Sequence, residues 1–412
     1  MKYGCIGEHL RHSFSKEVHN ALADYEYEIR EIPKSELDDF AAKREFLAVN
    51  VTIPYKELIM PHMSFIDEYA KAIGAVNTVV NRGGKLYGYN TDFYGMRMLA
   101  EHAGISMEKK KVAILGTGGT SKTAFAVANS LGANKVIRVS RTAREDSISY
   151  EELYEKHSDT EIIINTTPLG MFPEIFDSPL DLSGFTNLSG VLDAVYNPLR
   201  TPLVLLAKER KIAAEGGLYM LVSQAVRASE IFIDTVYPAE ELERVYEKIL
   251  REKENIVLTG MPASGKSTVG KLLSESTGRE IVDTDTLIEE HAKMPIPDIF
   301  KRFGEKHFRD LEASVIREAS KRNGVIISTG GGAVLRGENV RALRENGRIF
   351  FIDRPLSSLM PTEDRPLAST RENITRLYNE RYVTYTQTAD VIIDADCAAD
   401  TVAQKIRGSF GI

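Results

Sequence analysis

Residues 255–268 read Asn-Ile-Val-Leu-Thr-Gly-Met-Pro-Ala-Ser-Gly-Lys-Ser-Thr. An apolar strand-like run enters Gly-x-x-x-x-Gly-Lys-Ser, and a helix-like pattern, Val269-Gly270-Lys271-Leu272-Leu273, leaves it. This order constrains the local fold tightly. The glycines let successive backbone N–H groups turn onto one anion, which is how nucleoside triphosphates are cradled. Pro262, Ala263, Ser264, Gly265, Lys266, Ser267 and Thr268 are therefore expected to bind a nucleoside triphosphate, with Lys266 as a mobile positive charge and Ser267 as an oxygen for Mg²⁺. The competing reading is a degenerate loop kept only for folding. The loop also begins late, after about 250 residues that carry a different nucleotide fingerprint.

A chain of 412 residues can hold two or three domains, each with its own core. The formal net charge of −7, without a long basic run, points away from nucleic-acid and anionic-membrane partners. An anionic substrate must then be held by a few local cations. Cys5 and Cys397 lie at opposite ends of the chain, which argues against a disulfide framework or a metal cluster and suits a reducing cytosol. The N-terminal segment lacks the apolar core of a signal peptide, and no apolar span of about 18 residues occurs. A cytoplasmic protein is expected.

Short apolar strands alternate with amphipathic helix patterns throughout, the mark of an α/β chain. Residues 109–115 read as a buried strand, Gly116-Thr117-Gly118-Gly119-Thr120-Ser121 as a turn, and Lys122 to Leu131 as a helix. Strands at 135–139, 161–165 and 190–194 complete a doubly wound, Rossmann-like nucleotide domain over roughly 105–215. Residues 1–100 form another α/β unit with a hairpin at Arg82-Gly83-Gly84-Lys85, and 218–235 reads as a helix able to return to it. Leu242, Val245, Tyr246 and Ile249 recur at helical spacing after Pro238 and run almost directly into the strand at Ile256.

The turn at 116–121 fits Gly-x-Gly-x-x-small between a strand and a helix, so dinucleotide binding is preferred to a merely close-packed turn. The next strand ends in Ser140-Arg141-Thr142 rather than in an acid. A cation with two hydroxyls suits a ribose 2′-phosphate, hence NADP. Candidate substrate groups lie outside this domain: His12-Ser13-Phe14-Ser15, with two hydroxyls on one face if extended, Asn50-Val51-Thr52-Ile53-Pro54-Tyr55-Lys56, Gly74-Ala75-Val76-Asn77-Thr78, and Tyr89-Asn90-Thr91-Asp92. A lysine beside an aspartate can serve as an acid/base unit for carbonyl–alcohol interconversion, although each segment alone reads more readily as an ordinary strand end or helix cap.

Together with Asn165-Thr166-Thr167-Pro168-Leu169-Gly170-Met171, Tyr196-Asn197-Pro198 and Gly217 to Gln224, these ordered segments closely resemble the shikimate dehydrogenase family over residues 3–250. The resemblance implies a substrate domain of residues 1–100 plus 218–250 and an NADP-binding domain of 101–217. It implies that Ser13 and Ser15 hold the substrate carboxylate, and that Thr52, Asn77, Asp92 and Gln224 hold its ring hydroxyls. Lys56 and Asp92 would be the catalytic pair. Gly116, Thr117, Gly118, Gly119, Thr120, Ser140, Arg141 and Thr142 would line NADP(H), with Tyr196 and Gly217 near its nicotinamide. The chain departs from the family pattern at Gly7-Glu8-His9-Leu10 and Lys16, where prolines are usual, and at Ala194-Val195.

In the last third, Glu280 to Asp285 ends a strand with two carboxylates, one suited to Mg²⁺ and one to orienting a hydroxyl. Arg309 and Glu312 are helical i, i+3 neighbours and read first as an ion pair. Ser328-Thr329-Gly330-Gly331-Gly332 offers bare backbone for a ligand. With Asp364-Arg365-Pro366-Leu367, Arg381, Tyr385 and Ala389-Asp390, residues 254–412 closely resemble the shikimate kinase family, a parallel-sheet phosphate-loop fold. The resemblance implies that Asp285, Arg309, Gly331 and Arg381 hold shikimate, that Phe300 and Phe308 wall its ring, and that Asp285 and Lys266 are catalytic. Lys266 and Arg365 would stabilise the transferring phosphoryl group, Arg365 from a lid, while Ser267 and Asp283 set Mg²⁺. Ala263 stands where the family often has glycine, and the stretch from Asp353 to Arg365 is short, with Met360-Pro361 where the family usually carries an arginine before the lid.

The joint expectation is a bifunctional enzyme that reduces 3-dehydroshikimate to shikimate with NADPH and phosphorylates shikimate from ATP, as a monomer or homodimer. A quinate-directed dehydrogenase joined to a kinase, or a non-catalytic ligand sensor, are the alternatives. The sensor would have to retain Lys56, Asp92, Lys266, Asp283 and Asp285 for no purpose, and no basic recognition helix is evident.

Overall fold

Three β-sheets organise the computed structural model, which describes residues 1–8, 10, 14–361 and 368–412. Two of them belong to a unit of Met1–Ile249 and the third to a unit of Leu250–Ile412. Among the described residues no helix is long and apolar enough to cross a membrane.

The first sheet contains β1 (Tyr3–Gly7), β2 (Tyr27–Glu31), β3 (Ala48–Val51), β4 (Phe65–Ile66), β5 (Thr78–Arg82) and β6 (Lys85–Tyr89), in the order β2-β1-β3-β5-β6-β4. β1 pairs in parallel with β2 and β3, whereas β5 runs antiparallel to β3 and β6. Gly83 and Gly84 close the β5–β6 hairpin with φ of +59° and +80°, the left-handed pair that a two-residue turn needs. Helix Leu218–Ile233 packs on helix Thr91–His102 and on helix Ser15–Leu22. Gly95 lets the first two approach: a Cβ there would sit 2.6 Å from the Met220 carbonyl oxygen.

The second sheet holds β7 (Lys111–Leu115), β8 (Lys135–Val139), β9 (Ile162–Asn165), β10 (Gly190–Asp193) and β11 (Ala213–Glu215), in the order β11-β10-β9-β7-β8. All pairings are parallel. Val112 to Leu115 and Ile162 to Asn165 are buried along their lengths, as central parallel strands covered on both faces must be. Two of the boundaries that differ from the sequence reading have a local cause. β7 begins at Lys111 because Lys109 turns back with φ +57° and its N–H bonds the Gly132 carbonyl. The following helix begins at Gly119, so the glycine turn itself supplies its first turn.

The third sheet holds β12 (Asn255–Thr259), β13 (Ile281–Asp283), β14 (Ile326–Ser328), β15 (Gly347–Asp353) and β16 (Val391–Asp394), all parallel, in the order β13-β14-β12-β15-β16. β12 is central, so the loop after it opens amid the carboxyl ends of β13, β14 and β15. That is where open parallel sheets bind ligands.

Candidate active sites

The first site forms where β3 and β6 hand over to helices. Lys56 sits on the short helix Tyr55–Leu58 that follows β3, and Asp92 lies in the first turn of helix Thr91–His102. The Asn90 side chain caps that helix by accepting from the Phe93 N–H at 3.2 Å. The helix's positive end favours the Asp92 carboxylate. Lys56 Nζ donates to Asp92 Oδ2 at 2.6 Å, and neither side chain is more than 18% exposed.

Around this pair stands a frame of amides and hydroxyls. Asn77 Oδ1 accepts from the Thr91 N–H at 2.7 Å, and Asn77 Nδ2 donates to Thr91 Oγ1 at 3.1 Å. Gln224 Oε1 lies 3.4 Å from Thr91 Oγ1 and its Nε2 donates to the Leu221 carbonyl. Behind them Tyr27 Oη donates to Asn50 Oδ1 at 2.7 Å, and Asn50 Nδ2 donates to Thr78 Oγ1 at 3.2 Å. Thr52 is held at its N–H by the Ile6 carbonyl. Sequence reasoning gave no role to Thr78 or Thr91 and did not single out Tyr27, because only the packing of separate strands and the helix from Thr91 brings them together.

Ser13 lies outside the described residues. Ser15 opens helix Ser15–Leu22 instead of continuing an extended segment, because the Phe14 carbonyl accepts the Val18 N–H and starts the helix there. The aromatic face of Tyr196 lies 5.2 Å from Phe14, centroid to centroid. Gly217 donates to the Val195 carbonyl at 2.8 Å, and any side chain on it would run into the Ala194 backbone.

The dinucleotide turn at the end of β7 has room for a ligand. Gly116, at φ +107°, needs its missing side chain because a Cβ would meet Thr166 Oγ1 at 2.9 Å, whereas Gly118 and Gly119 face open space. Gly119 begins a 12-residue helix, whose free N–H groups suit a pyrophosphate. At the end of β8, Ser140 Oγ bonds the Thr142 carbonyl and Ser147 Oγ, and Arg141 projects into solvent. These residues fit NADP, with Arg141 available to a 2′-phosphate.

One buried carboxyl braces this rim and was missed from the sequence. Asp193 accepts from Asn165 Nδ2 at 3.0 Å, the Val195 N–H at 2.9 Å and Thr201 Oγ1 at 2.7 Å. Burial still pushes it up to about 7 against those three donors. Asn165 in turn orients Thr167.

The second site gathers at the carboxyl ends of the third sheet. Gly260, Ala263 and Gly265 adopt φ of +151°, +65° and +94°, curling the loop ahead of helix Lys266–Thr277. Lys266 Nζ donates to the Gly260 and Met261 carbonyls, both at 2.9 Å. Ser264 is buried and its main chain closes the turn on Met261, while Thr268 follows on the helix. Ser267 Oγ lies 3.2 Å from Asp283 Oδ2, whose other oxygen caps helix Thr284–Ala292. A hydroxyl and one carboxylate beside a phosphate cradle fit Mg²⁺, which keeps waters and takes few protein ligands. No cluster of three metal-ligating side chains is found among the described residues.

Arg309 donates to Glu312 Oε2 at 2.8 Å and to Glu305 Oε1 at 3.3 Å, so the ion pair foreseen from the i, i+3 spacing is present. Glu312 is fully buried, and burial raises its carboxyl above the ordinary range despite Arg309. The three glycines at 330–332 admit side chains as much as ligand. A Cβ on Gly330 would lie 2.6 Å from Asp285 Oδ1 and 3.0 Å from Glu312 Oε1, and one on Gly332 would overlap the Arg309 guanidinium. Arg381 Nη1 and Tyr385 Oη both donate to the Gly331 carbonyl. The Phe300 and Phe308 rings lie 4.6 Å apart, tilted by 34°, beside Arg309. Arg365 lies outside the described residues.

A lysine–carboxylate pair next to a dinucleotide fold, and a phosphate loop facing an arginine-lined pocket, define a nucleotide-dependent enzyme with two separate sites. The model of the shikimate dehydrogenase substrate-binding domain matches residues 5–79, and that of shikimate kinase matches residues 262–409. The NADP(+) shikimate dehydrogenase of Clostridium beijerinckii is 37% identical over 247 residues, covering 56% of this chain and 91% of its own length. A chorismate mutase/shikimate 5-dehydrogenase fusion from Clostridium acetobutylicum superposes with a TM-score of 0.57 at 31% identity, over 60% of this chain and 96% of its own. The Thermus thermophilus shikimate 5-dehydrogenase, solved with NADP(H) and shikimate, gives 0.55 at 25% identity, over 60% and 99%. The chain belongs to the shikimate dehydrogenase family and continues into a shikimate kinase domain. It is a shikimate-pathway enzyme with an oxidoreductase and a phosphotransferase on one polypeptide.

Proposed function

We propose that the first unit reduces 3-dehydroshikimate to shikimate with NADPH and that the second phosphorylates shikimate from MgATP. The observation that carries the reading is Lys56 held by Asp92 at 2.6 Å inside the Asn77–Thr91–Gln224 frame. NADPH supplies the hydride for the carbonyl carbon. Lys56 gives a proton to the carbonyl oxygen, and Asp92 holds the ammonium and takes a ring hydroxyl. Thr52, Asn77 and Gln224 orient the remaining hydroxyls, with Ser13 and Ser15 on the carboxylate. Gly116 to Thr120, Ser140, Arg141 and Thr142 hold the coenzyme, with Tyr196 and Gly217 at the nicotinamide end.

In the second unit, Arg309, Arg381 and the Gly331 backbone hold the shikimate carboxylate and ring, and Asp285 orients the attacking hydroxyl. Lys266 and Arg365 stabilise charge on the transferring phosphoryl group, while Ser267 and Asp283 hold Mg²⁺. Phosphoryl transfer asks the protein chiefly for positioning and charge, which this set supplies. Residues 1–100 with 218–250, 101–217 and 254–412 are proposed as the three domains. Two free thiols, Cys5 and Cys397, support a reducing cytoplasmic setting.

Purified protein given 3-dehydroshikimate, NADPH and MgATP should oxidise NADPH and yield shikimate 3-phosphate. A folded sample that leaves NADPH unconsumed removes the dehydrogenase half. NADPH oxidation with no phosphorylated product removes the kinase half.

A further inference from the structure

β15 delivers a cation to the phosphate loop that none of the roles above uses. The strand ends in Asp353, and Arg354 follows it directly. β15 pairs in parallel with β12, with Phe351 opposite Thr259, so their continuations emerge side by side. One continuation is the loop from Gly260 to Ser267, and the other is Arg354. The loop runs close to this strand end, and its glycines leave the space between them open. A Cβ on Gly260 would lie 2.9 Å from the Ile352 carbonyl oxygen, and one on Gly265 would lie 3.6 Å from Arg354 Nη1.

The state of that guanidinium is informative. Arg354 Nε is shut off from solvent and has no hydrogen-bond partner among the described residues. The adjacent carboxylate is engaged elsewhere: Asp353 Oδ2 accepts the Tyr382 hydroxyl at 2.9 Å. A dehydrated guanidinium N–H without an acceptor is unfavourable, and an acceptor brought to it offsets that cost. Lys266, the loop's own cation, rests on the Gly260 and Met261 carbonyls. Arg354 therefore brings a second positive charge, from the β15 side, to a cradle whose ligand carries several negative ones.

We propose that Arg354 binds a phosphate of the nucleotide directly and is a specificity-determining residue of the second site. This rests on the kinase reading of residues 254–412. The planar fork suits bidentate contact with phosphate oxygens, and its fixed approach from β15 favours a di- or triphosphate over a nucleoside. The residue sits just past a strand end, so its replacement leaves the sheet register untouched.

The test uses the full chain with Arg354→Met and Arg354→Lys. ADP affinity is read by titration calorimetry, and KM for ATP and for shikimate by kinase assay. NADPH-dependent reduction on the same sample reports that the polypeptide is folded. Arg354→Met is expected to weaken ADP binding and raise KM for ATP by about 10- to 100-fold, with KM for shikimate within about twofold. Arg354→Lys, which keeps the charge but loses the fork, should recover part of the loss. Unchanged ADP affinity and KM for ATP in Arg354→Met overturn the assignment, and so does a lowered unfolding temperature with both constants unchanged. ADP titration needs no phosphoryl acceptor, so an unsubstituted chain that binds ADP but fails to phosphorylate shikimate sinks the substrate reading alone. Absence of ADP binding by the unsubstituted chain removes the cradle, and this inference with it.

Discussion

Lys56 Nζ and Asp92 Oδ2 meet at 2.6 Å although 36 residues separate them. Each stands on a helix that leaves the carboxyl end of a strand in the first sheet, Lys56 after β3 and Asp92 after β6. The lysine's backbone is fixed as well, since its carbonyl accepts the Val76 N–H at 2.8 Å. Lys56 Nζ is thereby aimed from a rigid support, with the Asp92 carboxylate fixing its direction.

Lys56→Met should lower kcat/KM for 3-dehydroshikimate reduction by about 10²–10⁴-fold, the usual worth of a positioned acid. Kinase turnover should stay within about twofold, because Lys56 belongs to the other unit. Following NADPH absorbance and phosphorylated product on one preparation checks both. Loss of both activities would mean that the substitution unfolds more than its own site.

Gly332→Ala tests the arginine pocket without straining the backbone. Gly332 has φ −110° and ψ −2°, which alanine adopts freely, yet its methyl group would occupy the place of the Arg309 guanidinium. Arg309 must then shift away from Glu312. KM for shikimate in the kinase reaction is expected to rise about tenfold, worth about 1.4 kcal/mol, with KM for ATP unchanged. Equal rises in both constants would point to a general loss of order.

Ala263 offers the opposite experiment. It holds φ +65° in the phosphate loop, a conformation that costs a residue with a Cβ about 1–2 kcal/mol and glycine nothing. Glycine loses about 0.5–1 kcal/mol through its freer unfolded chain, so Ala263→Gly should stabilise the second unit by about 0.5–1 kcal/mol net. Denaturant unfolding followed through that unit reads the effect. A destabilised variant would show that the alanine methyl packs more favourably than its backbone is strained.

Much of the chemistry was legible because it travels in contiguous strings. The loop at 260–268, the turn at 116–121 and the Lys56 and Asp92 segments each announce themselves by spacing. The i, i+3 rule even found the Arg309–Glu312 pair, since both partners share a helix. Groups that meet only through sheet register stayed hidden. Tyr27 reaches Asn50 because β2, β1 and β3 are neighbours, and Arg354 reaches Gly265 because β15 lies against β12. Nothing local distinguishes Arg354 from any arginine at a strand end. Whether the segment at Ser15 is extended stays open in the sequence for a related reason, since four residues are equally compatible with an extended hydroxyl pair and with the first turn of a helix, where Ser15 stands.

Asp193 gives the first unit a pH signature. Its carboxyl ordinarily titrates near 3.8 and burial lifts it to about 7 in the folded chain. Between those values the folded state holds more protons than the unfolded one, so stability falls as pH rises through the window and levels off above it. The full three-unit difference corresponds to at most about 4 kcal/mol. Asp193→Asn removes the titration while keeping the bonds: its carbonyl oxygen can accept from Asn165 Nδ2 and the Val195 N–H, and its amide can donate to Thr201 Oγ1, which reverses its role. Unfolding of the first unit, measured from pH 5 to pH 8, should therefore show the variant gaining on the natural chain as pH rises. A constant difference across that range would mean that the three donors hold Asp193 ionised throughout, and that burial loses to hydrogen bonding at this position.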